Sequence, residues 1–482
     1  MRVRRHVFAS ALRRALFTVL AFCLVARPVA AHQFSSRFDS PIPVTALLVG
    51  AGATVACTAL LLARVGEIPA PERRLFTVAS STGDAVAAVA RAGFFVLFLL
   101  VLVDGLTGPR AAAANFATQF TWALWLKGVA LLSLLVGSPW RVLSPWRTLY
   151  EGLCRLEGEE VRLRPYPSVL GHWPALVGFV LLVGVVENLT RVPALPRATA
   201  VVVAGYALSM LAGGLLFGRE WFERGDALAV LYDLLGRVAP VRVARDGDGR
   251  GTETGGGRWV VSARAPWRAC ATPVPTRTTA PFVVAMVYTV TFDGFVESPL
   301  YRSLFFGVRE SLGVGASVSV VLYEVGLVGF LLAYLGVVAL VERVASRGRE
   351  RVGGEPNADG GGTSPGEETA TLAFAATLLP IAAGYEVAHN LTYVVTTLGR
   401  LPRFLGGESV DLLFWLSVPA FWSLQVALVL LGHVVAVVAA EAVTRRRTPT
   451  RRWALRSHAP LVGLMVGYTV LSLWVVSLPV AN

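Results

Sequence analysis

The chain has 482 residues, 55% of them hydrophobic and 16% charged, with a mean hydropathy of +0.61. A soluble domain carries about 25% charged residues, so this chain cannot cover a water-facing surface with ionic groups and must turn apolar surface to lipid. The net charge of +13 does not point to nucleic acid, because the arginines cluster in loops beside apolar runs and no basic segment elsewhere interleaves aromatic residues.

The N-terminus reads as a secretory signal over residues 1–31. Arg2, Arg4, Arg5, Arg13 and Arg14 form a positive region, Ala15 to Val25 a short apolar core, and Val29-Ala30-Ala31 a small-residue cleavage site. An uncleaved signal anchor is the alternative. Cleavage leaves His32 as an extracytoplasmic N-terminus, whose amine and imidazole would chelate copper or another borderline metal. The plainer reading is a residue that merely follows a cleavage site. Cys23, Cys57, Cys154 and Cys270 have no paired spacing, which supports neither a disulfide framework nor a zinc knuckle.

Ten apolar runs follow, most of the roughly 20 residues a bilayer requires. The first five are Val44–Ala63, Ala85–Val103, Phe116–Val136, Trp173–Val186 and Ala198–Phe217. The second five are Ala280–Val296, Val314–Val341, Ala370–Thr396, Leu412–Ala440 and Leu461–Pro479. The expected fold is an all-α polytopic transmembrane bundle of about ten helices in a prokaryotic plasma membrane. Two N-terminal helices fill 32–110, a first half 111–300, a seventh helix 301–345, a linker 346–369 and the last three helices 370–482.

Arginines concentrate in alternate loops, such as Arg73 and Arg74, Arg141 to Arg164, Arg237 to Arg268, Arg343 to Arg351 and Arg445 to Arg456. The positive-inside rule makes these cytoplasmic and puts the mature N-terminus and Asn482 outside. Ser138-Pro139-Trp140-Arg141, repeated as Ser144-Pro145-Trp146-Arg147, and the stretch Arg219 to Val241 are amphipathic. They fit helices lying in the lipid interface or helices packed on the bundle. Residues 246–257 and 353–368 are rich in Gly, Asp and Glu and read as disordered linkers.

An internal echo suggests duplication. Ala280-Pro281 with Met286-Val287-Tyr288-Thr289-Val290 returns as Ala459-Pro460 with Met465-Val466 and Tyr468-Thr469-Val470. Glu187-Asn188-Leu189-Thr190 returns as His389-Asn390-Leu391-Thr392. Each pair is four spans apart, as in a parallel transporter-like repeat, the alternative being coincidence among Val- and Ala-rich helices. Duplication would set Glu187 and His389 at equivalent places facing one interface.

Ionisable groups inside hydrocarbon cost about 2.5–3.5 kcal/mol on insertion scales, so each asks for a reason. The candidates are Glu187, Asp293, Glu297, Glu324, Glu386, His389 and His433, with Lys127, the only lysine, and Arg91 as counter-charges. The i, i+3 spacing of Glu386 and His389 puts both on one helix face, within reach of one divalent transition metal. His433 lies about 10 Å deeper at about 1.5 Å per residue, so it would join them only through a kink at Pro419. Three readings compete: a buried network locking helices, metal ligation, and a proton or ion pathway. His172 and His458 begin spans and read as solvated caps.

No nucleophile elbow, Walker loop, His-Glu-x-x-His or dinucleotide fingerprint occurs. Seven features together resemble a known family. They are Ala31-His32 leading to Pro41-Ile42-Pro43, Ser144-Pro145-Trp146-Arg147, Phe217-Gly218-Arg219-Glu220, Thr289-Val290-Thr291-Phe292-Asp293-Gly294-Phe295, Tyr385-Glu386-x-x-His389, Gly432-His433-Val434 and Tyr468-Thr469-Val470. The chain resembles the polytopic bacterial and archaeal membrane proteins labelled fenitrothion hydrolase, departing after His389, where Asn390 replaces an aromatic residue. The resemblance implies cleavage of an organophosphate triester. A metal on His389 and Glu386, aided by Asp293 or His32, would activate water at the outer face, with Asp293 and Glu187 as catalytic carboxylates. The small apolar substrate would arrive through membrane lipid. The rival is a transporter or metal-handling protein in which Glu187, Asp293, Glu324 and His389 line a path and His32 captures the ion.

Overall fold

The computed structural model describes residues 43–65, 68–245, 258–313, 315, 317–351 and 365–477. The expected signal segment, His32, the 246–257 linker and most of the 353–368 linker lie outside the described residues.

In chain order, α1 (Val44–Val65) leads to a strand, β1 (Glu72–Val78), and to α2 (Ser80–Thr107). Next come α3 (Phe116–Val136), α4 (Trp140–Leu143), α5 (Pro145–Glu157) and α6 (Trp173–Glu187). Then follow α7 (Pro196–Phe217), α8 (Arg219–Arg224) and α9 (Ala227–Gly236). Strands β2 (Val241–Arg245) and β3 (Trp259–Arg264) precede α10 (Trp267–Cys270). The remainder is α11 (Thr279–Val296), α12 (Pro299–Leu312), α13 (Val318–Arg351), α14 (Pro365–Arg400), α15 (Val418–Arg447) and α16 (Arg451–Ser477).

Among the described residues nine helices are long and apolar enough to cross a membrane, and α6 is a shorter apolar tenth. The chain is a polytopic, all-α membrane protein. α14 is central, with 78% of its apolar window buried, whereas α2 and α13 bury 17% and turn the rest to lipid. Glycines bring α14 and α15 into backbone contact: a Cβ on Gly384 would fall 2.5 Å from the Leu428 carbonyl, and one on Gly432 2.5 Å from that of Pro380.

The structure redraws several boundaries. Residues 301–345 do not open directly into a spanning helix: the amphipathic α12, N-capped by Ser298, precedes α13. α13 runs on into the expected linker, because Glu342 is buried at its Arg-rich end and is held by Arg349 at 2.5 Å and by Arg447 of α15 at 3.1 Å. α16 begins ten residues before the expected span, and its Arg451 bonds the Ala63 carbonyl at the end of α1. A three-stranded sheet of order β1-β3-β2, foreseen by no reading of the sequence, joins the Arg-rich loops. It pairs Phe76 with Val261 and Val243 with Val261 from the other side. Trp259 of β3 donates to Asp84 at 3.1 Å and lies over Gly83, where a Cβ would meet its ring at 2.0 Å.

The amphipathic segments pack on the bundle instead of lying in lipid. Each Ser-Pro pair starts a short helix, Ser144 capping the Arg147 amide with Pro145 in the first turn. The two starts aim Trp140 and Trp146, each 1% exposed, at one fully buried carboxylate. Asp226 Oδ2 accepts from Trp140 Nε1 at 3.0 Å and Trp146 Nε1 at 2.8 Å. Its Oδ1 accepts from the Tyr206 hydroxyl at 2.8 Å and the Leu228 amide at 2.9 Å. The repeat in sequence is thus a pair of donors for one acceptor.

Removing that acceptor orphans several buried donors at about 1–3 kcal/mol each. Asp226→Ala is expected to destabilise the protein by about 3 kcal/mol or more, and Asp226→Asn by less. Thermal unfolding in detergent, followed by tryptophan fluorescence, measures both.

Candidate functional site

Two of the helices are wound more widely than an α-helix, and both lead to a charge. α3 is π-helical over Gln119–Gly128, which contains Lys127, and α6 is π-helical over Val180–Glu187, which ends on Glu187. A π turn inserts a residue and re-aims the side chains around it, a device concentrated at functional sites. The Tyr232 hydroxyl of α9 supports the first, donating to the Trp125 and Leu126 carbonyls at 3.1 and 3.2 Å. α6 also stops short of the roughly 20 residues that span a bilayer.

Lys127 Nζ lies 3.2 Å from Glu187 Oε1 and 4.0 Å from Glu386 Oε1, all three side chains being about nine-tenths buried. Glu187 Oε2 is buried without a hydrogen-bond partner. Beside this trio His389 Nε2 meets Asp293 Oδ2 at 3.0 Å, with Glu297, at the end of α11, within electrostatic reach of His389. Lys127, Asp293 and Glu386 share the wall of an internal cavity of about 20 Å³ with Thr289, Asn188 and Asn390. Such a space holds about one water.

Four of the carboxylates and imidazoles singled out in the sequence therefore come together: Glu187, Asp293, Glu386 and His389 surround Lys127. The expected metal set does not assemble. Glu386 turns to Lys127 while His389 turns to Asp293, and among the described residues no three His, Cys, Asp or Glu side chains are grouped to hold a metal ion. His433 stands apart: its Nδ1 lies 2.9 Å from the Val429 carbonyl and its ring packs 5.7 Å from that of Tyr468. Pro419 sits in the first turn of α15, so it puts no kink between the two histidines. His32 lies outside the described residues. Arg91 pairs at 3.8 Å with Glu151, away from the cluster.

The histidines at the Arg-rich end are not solvated caps. His458 is 3% exposed and pairs with Glu441 at 2.7 Å. His172 is 7% exposed, its Nδ1 2.8 Å from Thr276 Oγ1. The sequence reading missed Tyr232 and Asp226, tyrosine and aspartate being unremarkable in loop helices. The centrality of Lys127 had one signal, a solitary lysine inside an apolar run.

No family model matches the chain, and neither does any curated protein or solved structure. The class of protein rests on the geometry itself: a multi-pass membrane protein with a cluster of ionisable groups buried in its bundle.

Truncating the cation strands two buried carboxylates. Lys127→Met is expected to cost about 3–5 kcal/mol, largely restored when Glu187→Gln and Glu386→Gln are added, as read by thermal unfolding in detergent. His172 generates a pH dependence. Burial first, then the charge of Arg224, pushes its pKa down to about 4. Between about pH 6.5 and that value the unfolded chain binds a proton that the folded chain refuses. Stability should fall as pH drops through this window, and His172→Gln should flatten that part of the difference between melting curves at pH 7 and pH 5.

Proposed function

We propose that this protein is a transporter that binds and passes a proton or a small monovalent cation through the Lys127 cluster. One observation carries the reading: two carboxylates share a single buried ammonium, and Lys127 and Glu386 of that trio line a cavity. A purely structural lock is complete with one acid per base. Here a second carboxylate, Glu386, attends the same ammonium while Glu187 keeps a buried Oε2 that accepts no hydrogen bond, and the pair calls for one more positive charge, which a proton or an entering cation supplies. Exchanging which carboxylate holds Lys127 frees the other, the elementary step of a carrier.

We read the echoed motifs as an internal duplication that fits this function. Asn188 and Asn390, the matching residues of the two echoed motifs, line the same cavity, as expected of a site between repeated halves. On this reading the positive-inside rule puts the Arg-rich end in the cytoplasm and the mature N-terminus and the C-terminus outside.

We also propose membership of the family labelled fenitrothion hydrolase, because residues carrying the resemblance build the polar centres. Trp146 binds Asp226, and Asp293, Glu386 and His389 belong to the cluster. Phosphotriester hydrolysis is the second reading, favoured by the 3.0 Å contact between His389 and Asp293, which orients an imidazole for general-base activation of water.

Purified protein in proteoliposomes tests the two readings. Transport predicts dissipation of an imposed pH, Na⁺ or K⁺ gradient, reduced at least tenfold in Lys127→Met and Glu386→Gln. Absence of flux under every gradient, with hydrolysis of a chromogenic phosphotriester that His389→Ala abolishes, would replace the transporter with the hydrolase.

A further inference from the structure

α9 is too short to cross a membrane, yet it is buried almost throughout, and its two sides face different spaces. Leu231 and Leu235 line the cavity of the Lys127 cluster. Ala229 and Asp233 line a second cavity of about 250 Å³, with Asp226 and Glu223. The two pairs are offset by two residues, which puts them on opposite faces of a helix about 10 Å across. A single helix is therefore the wall between the two spaces.

The second cavity opens at the Arg-rich end, where Asp233 is exposed and the ion pair of Arg141 with Glu223, at 2.6 Å, is 60% and 47% exposed. Its chemistry is acidic. Arg141 is taken by Glu223 and Arg147 by Glu151 at 2.9 Å, while Asp226 is occupied by the tryptophan, tyrosine and amide donors. Asp233 is the remaining carboxylate facing the vestibule, with Ser138 and Arg141 as its neighbours, and three carboxylates against two arginines make a lining that draws cations.

We infer that this vestibule is the port through which a proton or monovalent cation passes between the Arg-rich side and the Lys127 cluster, and that Leu231 and Leu235 form its gate. The inference rests on the transporter reading and adds the route. An apolar constriction between two polar spaces closes by excluding water, and it opens when wetted. The same helix reports to the cluster, because Tyr232 holds the carbonyls of Trp125 and Leu126, immediately before Lys127. Tyr232 is a positioning residue for the ammonium.

Cysteine accessibility tests the route without relying on flux. Asp233→Cys, with Ala229→Cys as a gentler second variant on the same wall, should react with a membrane-impermeant thiol reagent added from the Arg-rich side of oriented vesicles. Leu235→Cys should be protected, and it should become reactive from that side alone when Leu231→Ser wets the constriction. In proteoliposomes Leu231→Ser should speed gradient dissipation at least tenfold, while Leu216→Ser, at an exposed position of α7, should not. Labelling of Leu235→Cys from the opposite side, or protection that persists with Leu231→Ser, overturns the port. Wild-type protein without flux but with the expected labelling removes the transport reading and leaves the vestibule standing.

Discussion

The structure turns on one ammonium held between two carboxylates where water cannot reach freely. In such a setting an ion pair is strongly attractive, but removal of either partner leaves an uncompensated charge. The surrounding helices are shaped to prevent that. α3 and α6 give up regular α-helical winding where they present Lys127 and Glu187, and α14, the most enclosed of the described spanning helices, supplies Glu386 and His389. A tyrosine from α9 bonds carbonyls of the widened α3. Local hydrogen-bond geometry is sacrificed to place charge.

A second polar centre, Asp226, organises the Arg-rich end. It gathers indole groups from two short helices, a hydroxyl from α7 and an amide at the start of α9. The indoles lie against Trp125, at 5.9 and 6.0 Å between ring centroids, so the aromatic layer links this carboxylate to the helix that carries Lys127. The two centres are mechanically joined through α3 and α9. Movement of α9 would therefore be felt at the ammonium, as the proposed coupling between port and binding site requires.

The site was partly legible. Glu187, Asp293, Glu386 and His389 stood out because an ionisable side chain in an apolar run is costly enough to need a reason. The structure also sets Asn188 and Asn390 of the echoed motifs on one cavity wall, a proximity that their spacing along the chain did not require. The partners of the ionisable groups were not legible. The i, i+3 spacing of Glu386 and His389 allowed a shared ligand, yet neighbouring helices offered Lys127 to one and Asp293 to the other. Spacing along one helix says which side chains share a face and nothing about what that face meets.

Composition and hydropathy determined the solvent, the helical class and nearly every span, because a bilayer demands long apolar helices and charged loops whatever the tertiary arrangement. Only the tertiary structure decided that the tandem Ser-Pro-Trp segments fold inward, that β1 completes a sheet with strands far along the chain, and that a lone lysine is the hub. Each depends on contacts between residues distant in sequence. Hydropathy is a sum over neighbours, whereas the pairing of charges is set by which helices touch.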